Sequence, residues 1–126
     1  MPHFYLEYSD NIKNETNISD LLQKLNDVFL SHHHIIPAGG LKMRAMEFSE
    51  YVIADGKADD AFVHATLKLA KGRTEEDKKA LCEDLFETME THFDELLQKR
   101  YIGLSMEFYE FATPTYKKSN IHTRFK

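Results

Sequence analysis

The sequence predicts one α+β domain, in which two βαβ units form a four-stranded mixed sheet with two helices on one face. The strand and helix patterns follow the order β-α-β and then β-α-β, with about sixty residues in each half of the 126-residue chain. Because a crossover of this kind is right-handed and joins parallel strands, each half is expected to contribute one parallel pair. A chain of this length is expected to form one domain, over residues 1–126.

The first half of the chain opens with a strand pattern at residues 3–8. Ser19 is the predicted N-cap of the first helix. Apolar residues at three- and four-residue spacing then extend this helix over about residues 20–31. A proline and two glycines within residues 37–40 end the helix and open a loop.

The second and third strands are predicted over residues 41–53 and 61–69, separated by an Asp-Gly turn within residues 54–57. Lys42 and Arg44 share one face of the second strand and leave apolar side chains on the other face. The short turn predicts that these two strands are neighbours with a hairpin-like connection.

A long helix and a fourth strand follow. Thr74, with Asp77 three residues later, resembles a capping box, and an apolar stripe predicts a helix from there to about residue 100. Alternating apolar residues predict the fourth strand over residues 101–111, and a proline ends it. The tail at residues 117–126 is basic and too short for a domain.

The second face of the sheet is expected to need a cover. Two helices can cover only one face of a four-stranded sheet, and the strand patterns carry apolar residues on both faces. The simplest cover is a symmetric oligomer of the same chain.

Composition narrows the class of protein. The hydrophobic fraction of 42% and charged fraction of 29% are those of a folded globular chain. A single cysteine, Cys82, excludes an internal disulfide framework and favours a reducing, cytoplasmic location. We expect no membrane segment, because no apolar run approaches about 20 residues. The net charge of −5 argues against nucleic-acid binding.

Pro2, directly after Met1, is the first candidate functional residue. Removal of the initiator methionine would leave a secondary amine at the N-terminus, and an α-amino group titrates far closer to neutrality than a lysine does. A strand directly behind this amine would hold it in place for catalysis. Many proteins also begin with Met-Pro and use the proline only to shape the terminus, so the dipeptide alone leaves both interpretations open.

Short segments spread over the whole chain resemble one known family when they are taken together. They are the opening MPHF, Ser9-Asp10-Asn11-Ile12, Ala54-Asp55-Gly56, Ala61-Phe62-Val63-His64, Gly72-Arg73, Thr91-His92-Phe93, Leu104-Ser105 and the ending Asn120-Ile121-His122-Thr123-Arg124-Phe125-Lys126. At nearly constant spacing they are similar to the 5-carboxymethyl-2-hydroxymuconate Δ-isomerase family of the tautomerase superfamily.

The resemblance implies a cofactor-independent isomerase in homoprotocatechuate breakdown, downstream of 4-hydroxyphenylacetate, with the paired βαβ fold assembled as a homotrimer. The family's N-terminal proline, which carries the proton, corresponds to Pro2. Two family arginines correspond to Arg73 and Arg44, and a third is replaced by Lys42. Because lysine binds a carboxylate only as a point charge, this replacement leaves the exact substrate open.

The same residues suit the chemistry of moving a double bond. One group that titrates near neutrality can remove a proton at one carbon and return it at another. Arg73 and Lys42 could hold substrate carboxylates, lower the pKa of the Pro2 amine and stabilise a developing dienolate. Arg73 also precedes a helix N-terminus, where backbone N–H groups favour an anion. Without the family resemblance, the simpler interpretation of each of these cations is a solvated surface charge.

The remaining reactive side chains are assigned structural roles. The run His32-His33-His34 is interpreted as a solvated loop, because consecutive side chains diverge and no zinc-like spacing accompanies them. We therefore predict no metal site. His64 is predicted to be a packed or hydrogen-bonded histidine, and Cys82 a packed helix thiol.

Two other functions stay open at this point. One is another tautomerase activity, such as keto–enol conversion of phenylpyruvate, and Lys42 keeps it open. The other is a trimeric binding protein that keeps the fold without activity. For the isomerase, the expected partner is a small unsaturated carboxylate as substrate.

Overall fold

The computed structural model describes residues 2–125 as a four-stranded sheet with helices on one face. The elements, in chain order, are β1 (His3–Ser9), α1 (Ile18–Ser31), β2 (Lys42–Phe48), β3 (Ala61–Ala70), α2 (Glu75–His92), α3 (Asp94–Lys99) and β4 (Ile102–Phe111). Two short 3-10 segments matter for the site: the glycine turn (Ala38–Gly40) and the C-terminal turn (Ile121–Phe125). No helix in this part of the chain is long and apolar enough to cross a membrane.

The sheet has the strand order β2-β1-β3-β4. β1 pairs with β2 in parallel, and β3 pairs with β4 in parallel, which confirms the two predicted βαβ units. The prediction that the second and third strands are neighbours was wrong, because β1 lies between them and pairs with β3 in antiparallel fashion. β1 and β3 carry fully buried residues, whereas β2 and β4 carry none, so the two strands with fully buried residues take the centre.

β2 is shorter than the sequence predicts. It ends at Phe48, whereas the pattern of aromatic and β-branched residues continued to residue 53. The last residue pair of its ladder is Ser9 with Phe48, so β1 offers no partner beyond this point. Tyr51 packs instead edge-on against the ring of Phe62, at 6.2 Å between centroids.

The helix boundaries confirm one predicted cap and correct another. The Thr74 hydroxyl accepts a hydrogen bond from the Asp77 N–H at 3.1 Å, as predicted. In α1, however, Asn17 is the N-cap, because its side chain accepts from the Asp20 N–H at 3.0 Å, and Ser19 lies inside the helix. The predicted long helix is also interrupted at Phe93, where the backbone leaves helical geometry and α3 begins.

The Asn17 cap predicts an asymmetric pair of stability effects within one helix. Asn17→Ala should lower the free energy of unfolding by about 1 kcal/mol, because a helix N–H loses its acceptor. Ser19→Ala should change it by less than about 0.5 kcal/mol, since Ser19 is exposed and caps nothing. Urea unfolding of both variants checks this, and equal losses would contradict the assignment of the cap.

The hydrophobic core lies between the sheet and the helices. β1 and β3 turn alternate side chains toward α1 and α2. The largest completely buried side chains are Phe4, Leu6, Ile12, Leu21, Leu25, Phe29, Ile36, Leu67, Leu69, Leu81, Leu85 and Phe93. The rings of Phe4 and Phe29 meet edge to face at 5.4 Å, which ties the first strand to the first helix. This packing fixes the start of β1, and with it Pro2.

The second face of the sheet is more polar than predicted. Its side chains include His64, Lys68, Glu107 and Tyr109, which line one open concavity together with residues of β1. Only some of the side chains on this face are apolar. Burial of hydrophobic surface is therefore a weaker reason to expect an oligomer than the sequence indicated. Any partner on this face would meet a charged, hydrogen-bonded surface.

Candidate active site

Pro2 is buried and lies directly before β1. Its carbonyl oxygen accepts a hydrogen bond from the Lys42 N–H at 3.1 Å. The residue is therefore held by the first rung of the β1–β2 ladder, and the core packing of Phe4 fixes the strand behind it. An amine at this position is held in place, as proton transfer requires.

The sheet topology brings two of the predicted cations to the same end as Pro2. His3 pairs with Lys42 in the parallel β1–β2 ladder, so both strands start together. His3 also pairs with Lys68 near the end of the antiparallel β3, and Arg73 follows shortly after β3 ends. Pro2, Lys42 and Arg73 thus share one end of the sheet although up to 71 positions separate them along the chain.

Arg73 is partly buried and links the loop after α1 to the end of β3. Its Nε donates to the Ile35 carbonyl at 2.9 Å and its Nη1 donates to the Ala70 carbonyl at 3.0 Å. These bonds use two of the five N–H groups of the guanidinium and leave three for a ligand. Gly72, just before it, has φ +124°, a conformation that non-glycine residues rarely adopt and that turns the chain from β3 into α2.

Lys42 lies beside Pro2 but is held loosely. Its Nζ donates to the Gly40 carbonyl at 3.3 Å, and the side chain is partly buried. By strand alternation it emerges on the same side of the sheet as its register partner His3. The ammonium keeps two further N–H donors for an anion.

Arg44 lies two residues further along β2, on the exposed sheet face. Its Nη1 is 3.0 Å from Nδ1 of His3, and its guanidinium carbon lies 5.0 Å from the centre of the Tyr5 ring. The Lys68 ammonium approaches the same ring at 5.7 Å. Arg44 therefore belongs to a cationic strip leading away from Pro2, formed by His3, Tyr5, Arg44 and Lys68.

The local electrostatics favour an anion although the whole chain is acidic. Burial lowers the pKa of His3, and the positive charges of Arg44, Lys42 and Lys68 lower it further. The formal net charge of the chain is −5, so these cations are gathered against the overall balance. A carboxylate-bearing small molecule would find an attractive potential at this end of the sheet.

The other reactive side chains have structural partners. His64 is hydrogen-bonded as predicted, with Nδ1 2.6 Å from the Ser105 hydroxyl and Nε2 2.8 Å from a Glu107 carboxylate oxygen. Cys82 is a partly buried thiol in α2, as predicted, and burial raises its pKa. His32 pairs with Asp84 at 2.7 Å. Within residues 2–125 no group of three or more His, Cys, Asp or Glu side chains is placed to hold a metal ion.

The structure adds one neighbour of Pro2 that sequence reasoning missed. A Cβ built on Gly40 would lie 3.4 Å from Pro2 Cδ and 3.7 Å from Cε1 of His122, so these two atoms are at most about 7.1 Å apart. The C-terminal segment that contains His122 resembles the family. A contact between His122 and Gly40, more than 80 positions apart, has no local signal in the sequence.

The paired βαβ fold is shared with solved structures of distantly related proteins. A solved structure described as a fused 4-OT wild type symmetric trimer superimposes with a TM-score of 0.66, covering 94% of this chain and 92% of that chain. The two are 17% identical, so this likeness concerns the fold alone.

Closer comparisons give the family. Residues 2–125 match the family described as 5-carboxymethyl-2-hydroxymuconate isomerase. The 5-carboxymethyl-2-hydroxymuconate Delta-isomerase of Escherichia coli is 39% identical over 127 residues, covering 100% of both chains. A crystal structure of a 5-carboxymethyl-2-hydroxymuconate isomerase from Deinococcus radiodurans R1 is 45% identical, with a TM-score of 0.94 over 99% of this chain and 94% of that one. The chain belongs to this family and is an isomerase.

Proposed function

We propose that this isomerase acts on 5-carboxymethyl-2-hydroxymuconate and moves a double bond by proton transfer through the Pro2 amine. The observation that carries the proposal is the full-length relationship to isomerases of that name. The burial of Pro2 between Lys42 and the end of β3 supports the assignment of the base. The pathway that we propose for it is homoprotocatechuate catabolism, downstream of 4-hydroxyphenylacetate.

The reaction needs one base, one acid and charge stabilisation. Once Met1 has been removed, the Pro2 nitrogen in its neutral form takes a proton from the substrate and, as the ammonium, returns it at another carbon, which balances the isomerisation. Burial disfavours the charged amine, and nearby cations disfavour it further, so both effects favour the neutral form that accepts a proton. The dienolate that forms between the two transfers is negative and faces the same cations.

The free donors at the site suit the carboxylates of the substrate. Arg73 keeps three N–H groups beyond its two loop contacts, and its fork can bind one carboxylate in a bidentate manner. Lys42 supplies a mobile point charge on the other side of Pro2. Arg44, at the start of the cationic strip, is proposed to attract the substrate and bind a more distant carboxylate.

A spectrophotometric assay tests the proposal with two substrates side by side. Purified protein, shown by intact mass to lack Met1, is assayed against 5-carboxymethyl-2-hydroxymuconate and phenylenolpyruvate. We expect the first to be converted with the higher kcat/KM. A clear preference for phenylenolpyruvate would favour the keto–enol activity, which Lys42 supports because a point charge suffices for its single carboxylate. The relationship to named isomerases argues against a binding protein without activity.

We also propose that the active form is a homotrimer. β2 and β4 are each paired on one side only, so the sheet offers two open edges to other copies. Aromatic and apolar side chains also remain about half exposed on the second face, among them Met46 at 41% and Tyr109 at 49%. A related fold is described as a symmetric trimer, which supports this number of subunits.

Light scattering measures the assembly directly. The expected mass is about 44 kDa, three chains of 14.7 kDa each. Because dissociation would expose the interface, the melting temperature should rise with protein concentration. An active 14.7 kDa species whose melting temperature is independent of concentration would contradict the trimer.

A further inference from the structure

The chain after β4 crosses the end of the sheet where Pro2 lies. Phe111, the last residue of β4, pairs with Ala70 at that end and at one edge of the sheet. The C-terminal turn lies against the glycine turn, which precedes β2 at the opposite edge. Three strand spacings amount to roughly 15 Å, and ten extended residues can reach about 33 Å, so residues 112–121 span this width easily.

The C-terminal turn packs directly against the backbone of Gly39 and Gly40, which have no side chains. A Cβ on Gly39 would lie 2.7 Å from Nδ1 and 2.9 Å from Cα of His122, closer than real Cβ atoms come to another residue. Gly39 and Gly40 are buried, and neither has a positive φ, so the position requires space and not backbone freedom. The two glycines therefore form a seat whose occupant is His122.

This seat brings the imidazole of His122 to the same glycine that the Pro2 ring faces. Pro2 Cδ and His122 Cε1 both lie within 3.7 Å of one point, the position of a Cβ on Gly40. Neither ring nitrogen of His122 makes a hydrogen bond within residues 2–125, in contrast to His64, which is bonded through both nitrogens. A neutral imidazole has one N–H donor and an imidazolium has two, so a donor is present in either state.

We propose that His122 is a substrate-positioning residue of the Pro2 site, which donates an N–H to a carboxylate of the bound substrate. The guanidinium of Arg124, in the same turn, lies over the Phe125 ring at 5.2 Å. The inference rests on the proposed function, since it takes a carboxylate-bearing substrate at Pro2 as given. It adds a third donor, carried by the end of the chain, to those of Arg73 and Lys42.

Kinetics of single variants test the role of His122. His122→Ala should raise KM for 5-carboxymethyl-2-hydroxymuconate about tenfold and change kcat less than about threefold, the expected effect of losing one hydrogen bond to a charged group. His122→Gln keeps an N–H donor and should recover most of the loss. Arg124→Ala is the matched cation control and should stay within about twofold of the parent. Equal effects of the Ala variants at 122 and 124, or no rescue by glutamine, would overturn the proposal.

A glycine pair separates docking of the turn from folding of the domain. Gly39→Ala should displace His122 and raise KM at least as much as His122→Ala, because its Cβ meets backbone that cannot yield cheaply. Gly103→Ala is the control, since a Cβ there meets nothing within 4 Å. Residues 112–125 are exposed, so the melting temperatures of both variants should stay close to that of the parent. An unchanged KM in a folded Gly39→Ala protein would contradict the seat.

Alkylation of Pro2 tests the role of His122 independently of the proposed substrate. Two reagents are compared: bromopyruvate, which carries a carboxylate, and iodoacetamide, which is neutral. In each case the Pro2 nitrogen displaces the halide, and peptide mapping distinguishes this product from alkylated Cys82. His122→Ala should slow the reaction of Pro2 with bromopyruvate about tenfold and leave that with iodoacetamide unchanged. If the parent does not isomerise the muconate but shows this selective effect, the proposed function fails and the role of His122 stands. If the parent isomerises it and the variant matches the parent with both reagents, only the role of His122 fails.

Discussion

Adding one residue before Pro2 is expected to remove nearly all isomerase activity, with kcat/KM falling by a factor of about 10³ or more. The extension converts the secondary amine into an amide, which cannot accept a proton near neutrality, and a positioned base contributes about 10²–10⁴ in rate. The Lys42 N–H bond to the Pro2 carbonyl does not depend on a free amine, so the strand should remain paired. Steady-state kinetics on mass-verified protein measure the effect.

Pro2→Ala is the matched variant for this experiment. Alanine keeps the carbonyl that pairs with Lys42 and, after Met1 removal, presents a primary amine, so the loss should be clearly smaller than for the extension. Circular dichroism and light scattering on both proteins check that fold and assembly are kept. Full activity in a protein whose extension is confirmed by intact mass would exclude Pro2 as the base.

Arg73→Ala is expected to lower kcat/KM by about 10²–10³, because a charged donor facing the developing dienolate is lost. The same change removes the donors to the Ile35 and Ala70 carbonyls, so the free energy of unfolding should also fall, by about 1–3 kcal/mol. Arg73→Lys separates the two effects: it keeps the charge and loses the planar fork. Its activity should lie between those of the parent and the alanine variant.

Lys42 provides the comparison within the same site. Its single contact to the Gly40 carbonyl is long, so Lys42→Ala should act mainly on KM and change unfolding little. Lys42→Arg restores the residue type of the resembled family and should be tolerated or beneficial with 5-carboxymethyl-2-hydroxymuconate. If Arg73→Ala and Lys42→Ala both leave kcat and KM unchanged, the carboxylates bind elsewhere.

Features that depend on neighbouring residues could be predicted from the sequence. The order of strands and helices, the Thr74 cap and the alternation that buries Phe4 and Leu6 all follow from spacings of two to four residues. The two parallel pairs followed as well, since the handedness of a βαβ crossover is nearly invariant. The family resemblance, carried by segments along the whole chain, was confirmed by the comparisons.

Whether a strand-like segment forms a strand depends on contacts with distant parts of the chain. Residues 49–53 have strand-like composition but no strand beside them, because β1 ends at Ser9 and a strand requires a partner. The order of strands in the sheet also depends on tertiary contacts. β1 lies between β2 and β3, since the strands buried most deeply take the centre of a sheet. The apolar stripe around Phe93 continues across a break in the helix, because burial of its side chains does not require one uninterrupted helix.

The surroundings of Pro2 were likewise decided by the fold. The sequence named Pro2, Lys42 and Arg73 as candidates, but only the register of β1 with β2 and β3 brings them to one end of the sheet. The contact of His122 with Gly39 is even harder to predict from the sequence. It joins a loop and the end of the chain through van der Waals packing. Shape complementarity between distant segments leaves no periodicity in a sequence, whereas hydrogen-bonded helices and strands do.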